Sequence, residues 1–245
     1  RVDVAAMAAE FGEGVEHAAR EARLRFFVDA AQEFDATAVV VAHHAGDQAE
    51  TVLFRMARGT SVRGLAGMAP RRELADGVTL FRPMLTATRE AIDTYAAARG
   101  LAWREDASNT DPTFRRNAIR HEILPRLVEQ VAPGAESALV RLATQAAEVS
   151  EFLAATARAL LAEATVLQRP DRVILDVKCM LAGEAVVRRE AVRQVLETMG
   201  MGLRDLSERH LRDVDGLLAA KRGTVNLPDR FLARREGALV LLFSA

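Results

Sequence analysis

Hydrophobic and polar positions follow two different rhythms along this chain. Between residues 13 and 34, Ala19, Ala22, Phe26 and Ala30 recur at three- and four-residue spacing while Glu16, Arg20 and Arg23 take other positions, which predicts an amphipathic helix. Residues 36–42 (ATAVVVA) are a short apolar run with β-branched members, the pattern of a strand buried on both faces of a parallel sheet. The polar stretch HHAGDQAE comes next, and a second helix is predicted through Thr51 to Arg58, with Gly59 placed as its stop. Helix, buried strand, polar loop and helix in that order are the rhythm of a doubly wound α/β domain. Residues 59–77, with Gly59, Gly64, Gly67, Pro70 and Gly77, read as a loop. Val78–Phe81 reads as a strand stopped by Pro83, and 89–99 as a helix capped by Thr88, with Glu90 in its first turn and Gly100 past its end.

From Arg115 the pattern changes to helix after helix: 115–130, then an Ala-rich stretch over 135–165. A strand is predicted at Val173–Val177, helices near 184–199 and 207–220, and a small sheet from Gly223–Leu227 and Ala238–Phe243. The expected fold class is α/β: an incomplete doubly wound parallel sheet up to residue 130, then a linker helix and a smaller helix-rich substrate domain over 131–245. Only two strands are predicted before residue 100, whereas an open sheet has about four to six. The first unit is therefore expected to be unusually small or to lack its front half, in keeping with a chain that begins at Arg1 rather than Met.

Composition narrows the class. Half of the 245 residues are hydrophobic and 27% are charged, which excludes general disorder. No apolar run approaches the ~20 residues a membrane-spanning helix needs, and no signal-like segment opens the chain. The single cysteine, Cys179, excludes an intrachain disulfide framework, a multi-thiolate zinc site and a CxxC redox centre. The chain reads as cytoplasmic. Formal net charge is −1, and only Lys178 and Lys221 among the 33 basic residues are lysines. Near-neutrality hides a local asymmetry: Arg115, Arg116, Arg120 and Arg126 lie close together with only Glu122 among them. One such patch is enough for a near-neutral protein to bind nucleic acid.

Three segments carry candidate chemistry. HHAGDQAET (43–51) lies where open α/β sheets bind ligands, beyond the carboxyl end of a strand and at the start of a helix. Asp47 and Glu50, three apart, share a helix face, and two carboxylates beside a phosphate site can hold Mg²⁺. Equally, Asp47 can simply cap the helix with Glu50 solvated and the histidines filling a loop. The glycine-rich Arg58–Met68 contains Arg58 and Arg63, suited to phosphate or to an ordinary surface loop. In the third segment, Arg116 and Arg120 are four apart and project from one helix face, which suits backbone phosphates or a salt-bridged surface.

HHAGDQAETVLFR, RGTSVRGLAGM, RPM and EDASNTDPTFRRNAIRHEILP, in this order and spacing, resemble the tRNA(Ile)-lysidine synthetase family, whose pattern is close to HHxDDQxET, RGxGxxGLxGM, RPLL and EDxSNxxxxxxRNxxRxxxxP. VEHAAREARLRF and the closing RGTVNLPDR…ARREGALVL are also similar, so the likeness covers nearly the whole chain. The resemblance implies an adenine-nucleotide-hydrolase-like fold of the N-type ATP pyrophosphatases. It implies ATP with Mg²⁺ as cofactors, and adenylation of the C2 oxygen of the wobble cytidine, from which lysine displaces AMP to give lysidine. Implied partners are a tRNA(Ile) with a CAU anticodon, free L-lysine and a second copy in a homodimer, with no membrane. Carried over by motif, Asp47, Glu50 and Arg120 are the catalytic residues, Asp47 and Glu50 the metal ligands, His43 and Arg58 the nucleotide contacts, and Arg115, Arg116 and Asn117 the tRNA contacts.

Two positions depart from the family pattern. The SGGxDS nucleotide loop is absent from these 245 residues, so the chain by itself is expected to be inactive. Gly46 stands where the family usually has Asp. The alternatives are a catalytically inactive tRNA-binding remnant and another tRNA-modifying ATP pyrophosphatase, such as a thiolation enzyme. A lone Cys179 argues against the last.

Overall fold

A computed structural model describes residues 15–102, 115–202 and 205–244 of the chain. The predicted turn-rich segment that includes Asp106–Phe114 lies outside the described residues. The chain divides into two compact units between Ala147 and Glu148.

In the first unit, α1 (Val15–Glu33) leads to β1 (Ala38–Val40), α2 (Ala45–Ala57), the short α3 (Val62–Leu65), β2 (Arg71–Ala75), β3 (Val78–Phe81) and α4 (Arg89–Ala98). The three strands form one sheet in the order β1-β3-β2. β1 and β3 are parallel, with Ala38 opposite Thr79 and Val40 opposite Phe81, while β2 runs antiparallel to β3. The predicted strand at 36–42 is present, but among the described residues it is not buried on both faces: β3 is its one neighbour there, and Val40 is 66% exposed. The loop expected over 59–77 instead contains α3 and β2. Its five β2 residues, RRELA, show no clear alternation, and pairing with β3 decides their conformation.

The helix predicted over 115–130 is present in three consecutive parts, together α5: Arg115–Ala118, a π-helical stretch Ile119–Ile123, and Leu124–Gln130. The widened turn precedes Pro125, which has no amide hydrogen to give the helix. Ile119 and Leu124 pack with Ala49 and Leu53 of α2, joined by Phe54, Leu127 and Leu139. That apolar contact lays α5 along α2 and decides what lies opposite Asp47 and Glu50.

A long helix, α6 (Ala135–Ala164), carries the chain into the second unit. β4 (Thr165–Arg169), β5 (Arg172–Asp176), α7 (Val177–Ala182), α8 (Ala185–Thr198), α9 (Glu208–Ala219), β6 (Arg222–Asn226), β7 (Phe231–Glu236) and β8 (Leu239–Ser244) follow. Its five strands are ordered β4-β5-β8-β7-β6, and every neighbouring pair is antiparallel. The expected helices and small sheet are present, but the sheet has two strands that were not predicted, β4 and β7. Its core joins Leu175, Val240 and Leu242 of the sheet to Met180, Leu196 and Val214 of the helices, all fully buried. Cys179 is a free thiol. Among the described residues, no helix is long and apolar enough to cross a membrane.

Candidate active site

The site is built at the start of α2. His44 is the N-cap: its backbone N–H donates to Asp47 Oδ2 at 3.0 Å, and its ring Nδ1 accepts from the Gly46 N–H at 3.0 Å. This reciprocal pair satisfies two amides at the helix start, so His44 takes the capping position and Asp47 serves as the third helical residue. Asp47 caps, as one reading of the sequence had it, but only with Oδ2. Glu50, one turn on, is not solvated: it is 3% exposed.

The rest of the two carboxylates is taken up by α5. Asp47 Oδ1 accepts from Arg116 Nη2 at 3.0 Å and Arg120 Nη2 at 2.9 Å. Glu50 Oε1 accepts from Arg120 Nε at 2.6 Å, and Glu50 Oε2 from Arg116 Nε at 2.8 Å and Arg120 Nη2 at 3.2 Å. Two negative and two positive charges thus close into one hydrogen-bonded group linking positions more than 65 residues apart. Burial works against the Arg120 charge, but the hydrogen bonds and attraction of Glu50 and Asp47 outweigh it and hold its pKa above the usual arginine value.

The same geometry tests the expected metal. All four carboxylate oxygens of Asp47 and Glu50 already accept hydrogen bonds, mostly from guanidinium groups. Among the described residues, no group of three or more His, Cys, Asp or Glu side chains is gathered to hold a metal ion. Mg²⁺ demands near-octahedral oxygen ligands. As arranged, Asp47 and Glu50 do not fit one, and the positive charge they balance is supplied by arginine.

The other expected residues are distributed unevenly. His43 lies beyond the end of β1, its ring Nδ1 buried and without a hydrogen-bond partner among the described residues. Burial lowers its pKa, Asp47 opposes that, and Arg82, Arg116 and Arg23 lower it further. Arg58 is at the opposite end of α2, about 16 Å along the axis from Asp47, with its guanidinium over the Phe54 ring at 5.5 Å. It is not brought to the carboxylates. Arg115 is exposed, and Asn117 is 8% exposed. The patch read as basic is largely neutralised, because Arg116 and Arg120 face acids supplied by another motif.

Two residues with structural roles escaped the sequence reading. Gln48 Nε2 donates to the Ala66 and Met68 carbonyls and its Oε1 accepts from the Met68 N–H, and Arg55 Nη1 donates to the Gly64 and Gly67 carbonyls. The glycine-rich segment is therefore fastened to α2. The available signal was the spacing of Gln48 and Arg55, seven apart and so on one helix face.

A PP-loop domain family matches residues 1–127, just over half of the chain. The tRNA(Ile)-lysidine synthase of Salinispora arenicola is 39% identical over 252 aligned positions, covering 99% of this chain and 71% of the relative. The chain belongs to the tRNA(Ile)-lysidine synthase family. Family members of that name from Thermus thermophilus, 38% identical over 99% of this chain and 45% of their own, and Geobacter sulfurreducens, 36% identical over 91% and 47%, match as well. The chain spans about half the length of several curated relatives it matches. Within this family's motifs, the ion-paired group joins HHAGDQAET to RRNAIR.

Proposed function

We propose that the protein carrying this sequence converts the wobble cytidine of a tRNA(Ile) with a CAU anticodon to lysidine, using ATP and free L-lysine. The cytidine C2 oxygen attacks the α-phosphorus of ATP and pyrophosphate leaves. The lysine amine then adds at C2, loses a proton, and AMP leaves with the oxygen. The observation that carries this reading is the Asp47–Glu50–Arg116–Arg120 group, assembled from two family motifs beyond the carboxyl end of β1.

In this reading Arg120 is the catalytic cation. It neutralises charge developing on the phosphoryl group and on departing AMP, and Asp47 and Glu50 hold its guanidinium in place beforehand. Arg115 contacts tRNA phosphate, and His43 contacts the nucleotide. Mg²⁺ is proposed as the companion of ATP, without Asp47 and Glu50 as its ligands. A doubly wound, adenine-nucleotide-hydrolase-like sheet is the finer fold that the parallel β1–β3 pair supports. Residues 1–130 are read as part of the ATP pyrophosphatase domain, and 131–245 as the linker helix and tRNA-binding domain. A homodimer in the cytoplasm is the proposed state.

The test is mass spectrometry of nucleosides from a tRNA(Ile) transcript incubated with the complete enzyme, ATP, Mg²⁺ and lysine. Lysidine that forms only when both ATP and lysine are present is the expected result. Its absence from an enzyme that is folded and binds ATP overturns the reading.

A further inference from the structure

The five-stranded sheet of the second unit is apolar on both faces. Side chains alternate across each strand, and residues paired directly across a ladder share a face. Val173, Leu175, Val240, Leu242, Phe231 and Ala233 are buried on the face that packs with the helices of that unit. The alternate positions form three cross-strand rows on the other face. In the middle row, Ile174 lies between Leu167 and Leu241, and Leu241 is paired in turn with Arg234. To one side Phe243 stands between Leu232 and Arg172, and to the other Leu239 stands between Glu236 and Asp176. The six apolar residues of these rows belong to neither buried cluster, and each is partly exposed. A sheet with one solvated face alternates apolar with polar residues, so apolar residues on both faces mark a sheet built to be covered on both. An apolar patch with a polar rim is a docking surface.

Charge on the rim selects the occupant. The row of Phe243 continues through Arg172 to Arg169 and contains no acid, although Asp171 in the turn between β4 and β5 lies 3.6 Å from Arg172. The row of Leu239 contains two carboxylates, Glu236 and Asp176, against one arginine, Arg222. These two rows are about 13 Å apart along the strands. Between them, Arg234 holds its guanidinium over the Phe243 ring at 5.3 Å and reaches Glu236 at 3.5 Å. The face is therefore basic at one end, acidic at the other and apolar in the middle. Turned over about an axis along the middle row, such a face is complementary to itself: Leu241 and Ile174 meet their own copies, Phe243 meets Leu239, and Arg172 comes opposite Asp176. Turned about an axis along the strands, it would set the basic row against itself. A nucleic acid, negative along its whole length, would meet Glu236 and Asp176 at one end.

We infer that this outer face of the second unit's sheet is the surface on which two copies of the protein associate, packed face to face about a two-fold axis along the Leu241–Ile174 row. The number of copies rests on the homodimer already proposed; the choice of surface rests on the sheet alone.

The test is analytical ultracentrifugation of the complete protein across protein and salt concentrations, for the wild type, Leu241→Lys and Arg172→Glu. Leu241→Lys sets two ammonium groups against each other at the axis. Arg172→Glu, at a side chain 45% exposed, sets a carboxylate against Asp176 of the second copy. Each is expected to weaken the dimer by about tenfold or more, and added salt is expected to weaken the wild-type dimer. If Leu241→Lys does not fold, Arg172→Glu decides alone. A wild-type dimer whose affinity both folded variants keep within about twofold overturns the surface and leaves the homodimer standing; a monomeric wild type overturns both. An intact dimer in variants that lose tRNA affinity by filter binding assigns the face to RNA, and an intact dimer in variants that lose thermal stability shows the face covered within one copy; either result overturns the inference. Variants that dissociate from a wild-type enzyme making no lysidine would overturn the proposed activity and leave the surface standing.

Discussion

Glu50 and Asp47 sit one helical turn apart and face the same two arginines, yet their substitutions should not cost the same. Glu50 is buried and accepts three of the hydrogen bonds, so Glu50→Gln leaves two guanidinium groups short of a buried counter-charge and should cost about 2 kcal/mol. Asp47→Asn can still accept the His44 amide, and the arginine side chains it faces are 41% and 31% exposed, so water compensates and the cost should be about 1 kcal/mol. Urea titration of the two variants measures the difference; an equal or reversed order would show that the cap outweighs the ion pairs. On the proposed function, both should lower single-turnover lysidine formation by about a hundredfold or more while tRNA affinity stays within about twofold, because displacing Arg120 would then be an electrostatic loss in the transition state. Arg120→Ala and Arg115→Ala divide the roles further. Arg120→Ala should lower turnover at saturating tRNA, and Arg115→Ala, at an exposed position outside the group, should weaken tRNA binding and its salt dependence. Normal saturated turnover in Arg120→Ala would remove it from the chemistry.

Between α2 and the glycine-rich segment, the decisive contact is the approach of Gly67 to Gln48. Gly67 has φ +65°, and a Cβ there would come within 2.6 Å of Gln48 Oε1. Gly67→Ala therefore meets both a left-handed backbone and a side chain whose three hydrogen bonds hold the segment, and should cost about 2–3 kcal/mol. Gly77→Ala, at φ +77° in open space, carries the backbone penalty alone and should cost about 1 kcal/mol. Chemical denaturation of the two variants checks the gap; equal costs would mean that the Gln48 clamp contributes nothing. The departure at Gly46 has a related explanation in local packing. A Cβ there would lie 2.9 Å from His44 Cε1, so a side chain at that position requires the capping imidazole to turn away.

At the scale of the molecule, the two units have separate apolar cores. One buried cluster draws only on residues from Ala157 onward, and the other joins α2 to α5 and the first turns of α6. Leu242→Ala removes a fully buried side chain from the second unit and should destabilise that unit by about 3 kcal/mol. Amide hydrogen exchange should then speed up in β5, β7 and β8 while α2 keeps its protection. Equal loss in α2 would show that the units unfold as one.

Local pattern alone determined much of this protein. Helices with period-3.6 apolar spacing or a side-chain cap, such as α4 behind Thr88 and α9 behind Ser207, need only their own residues to be recognised. The four ordered motifs were sufficient for the family, because motif order survives without coordinates. What the sequence read poorly depends on partners far along the chain. β2 and β7 are strands because β3 and β8 supply their hydrogen bonds. Arg116 and Arg120 look like a basic surface until Ile119 and Leu124 dock on α2 and bring them to Asp47 and Glu50. Charge compensation and burial are properties of which side chains meet, and tertiary packing alone decides that.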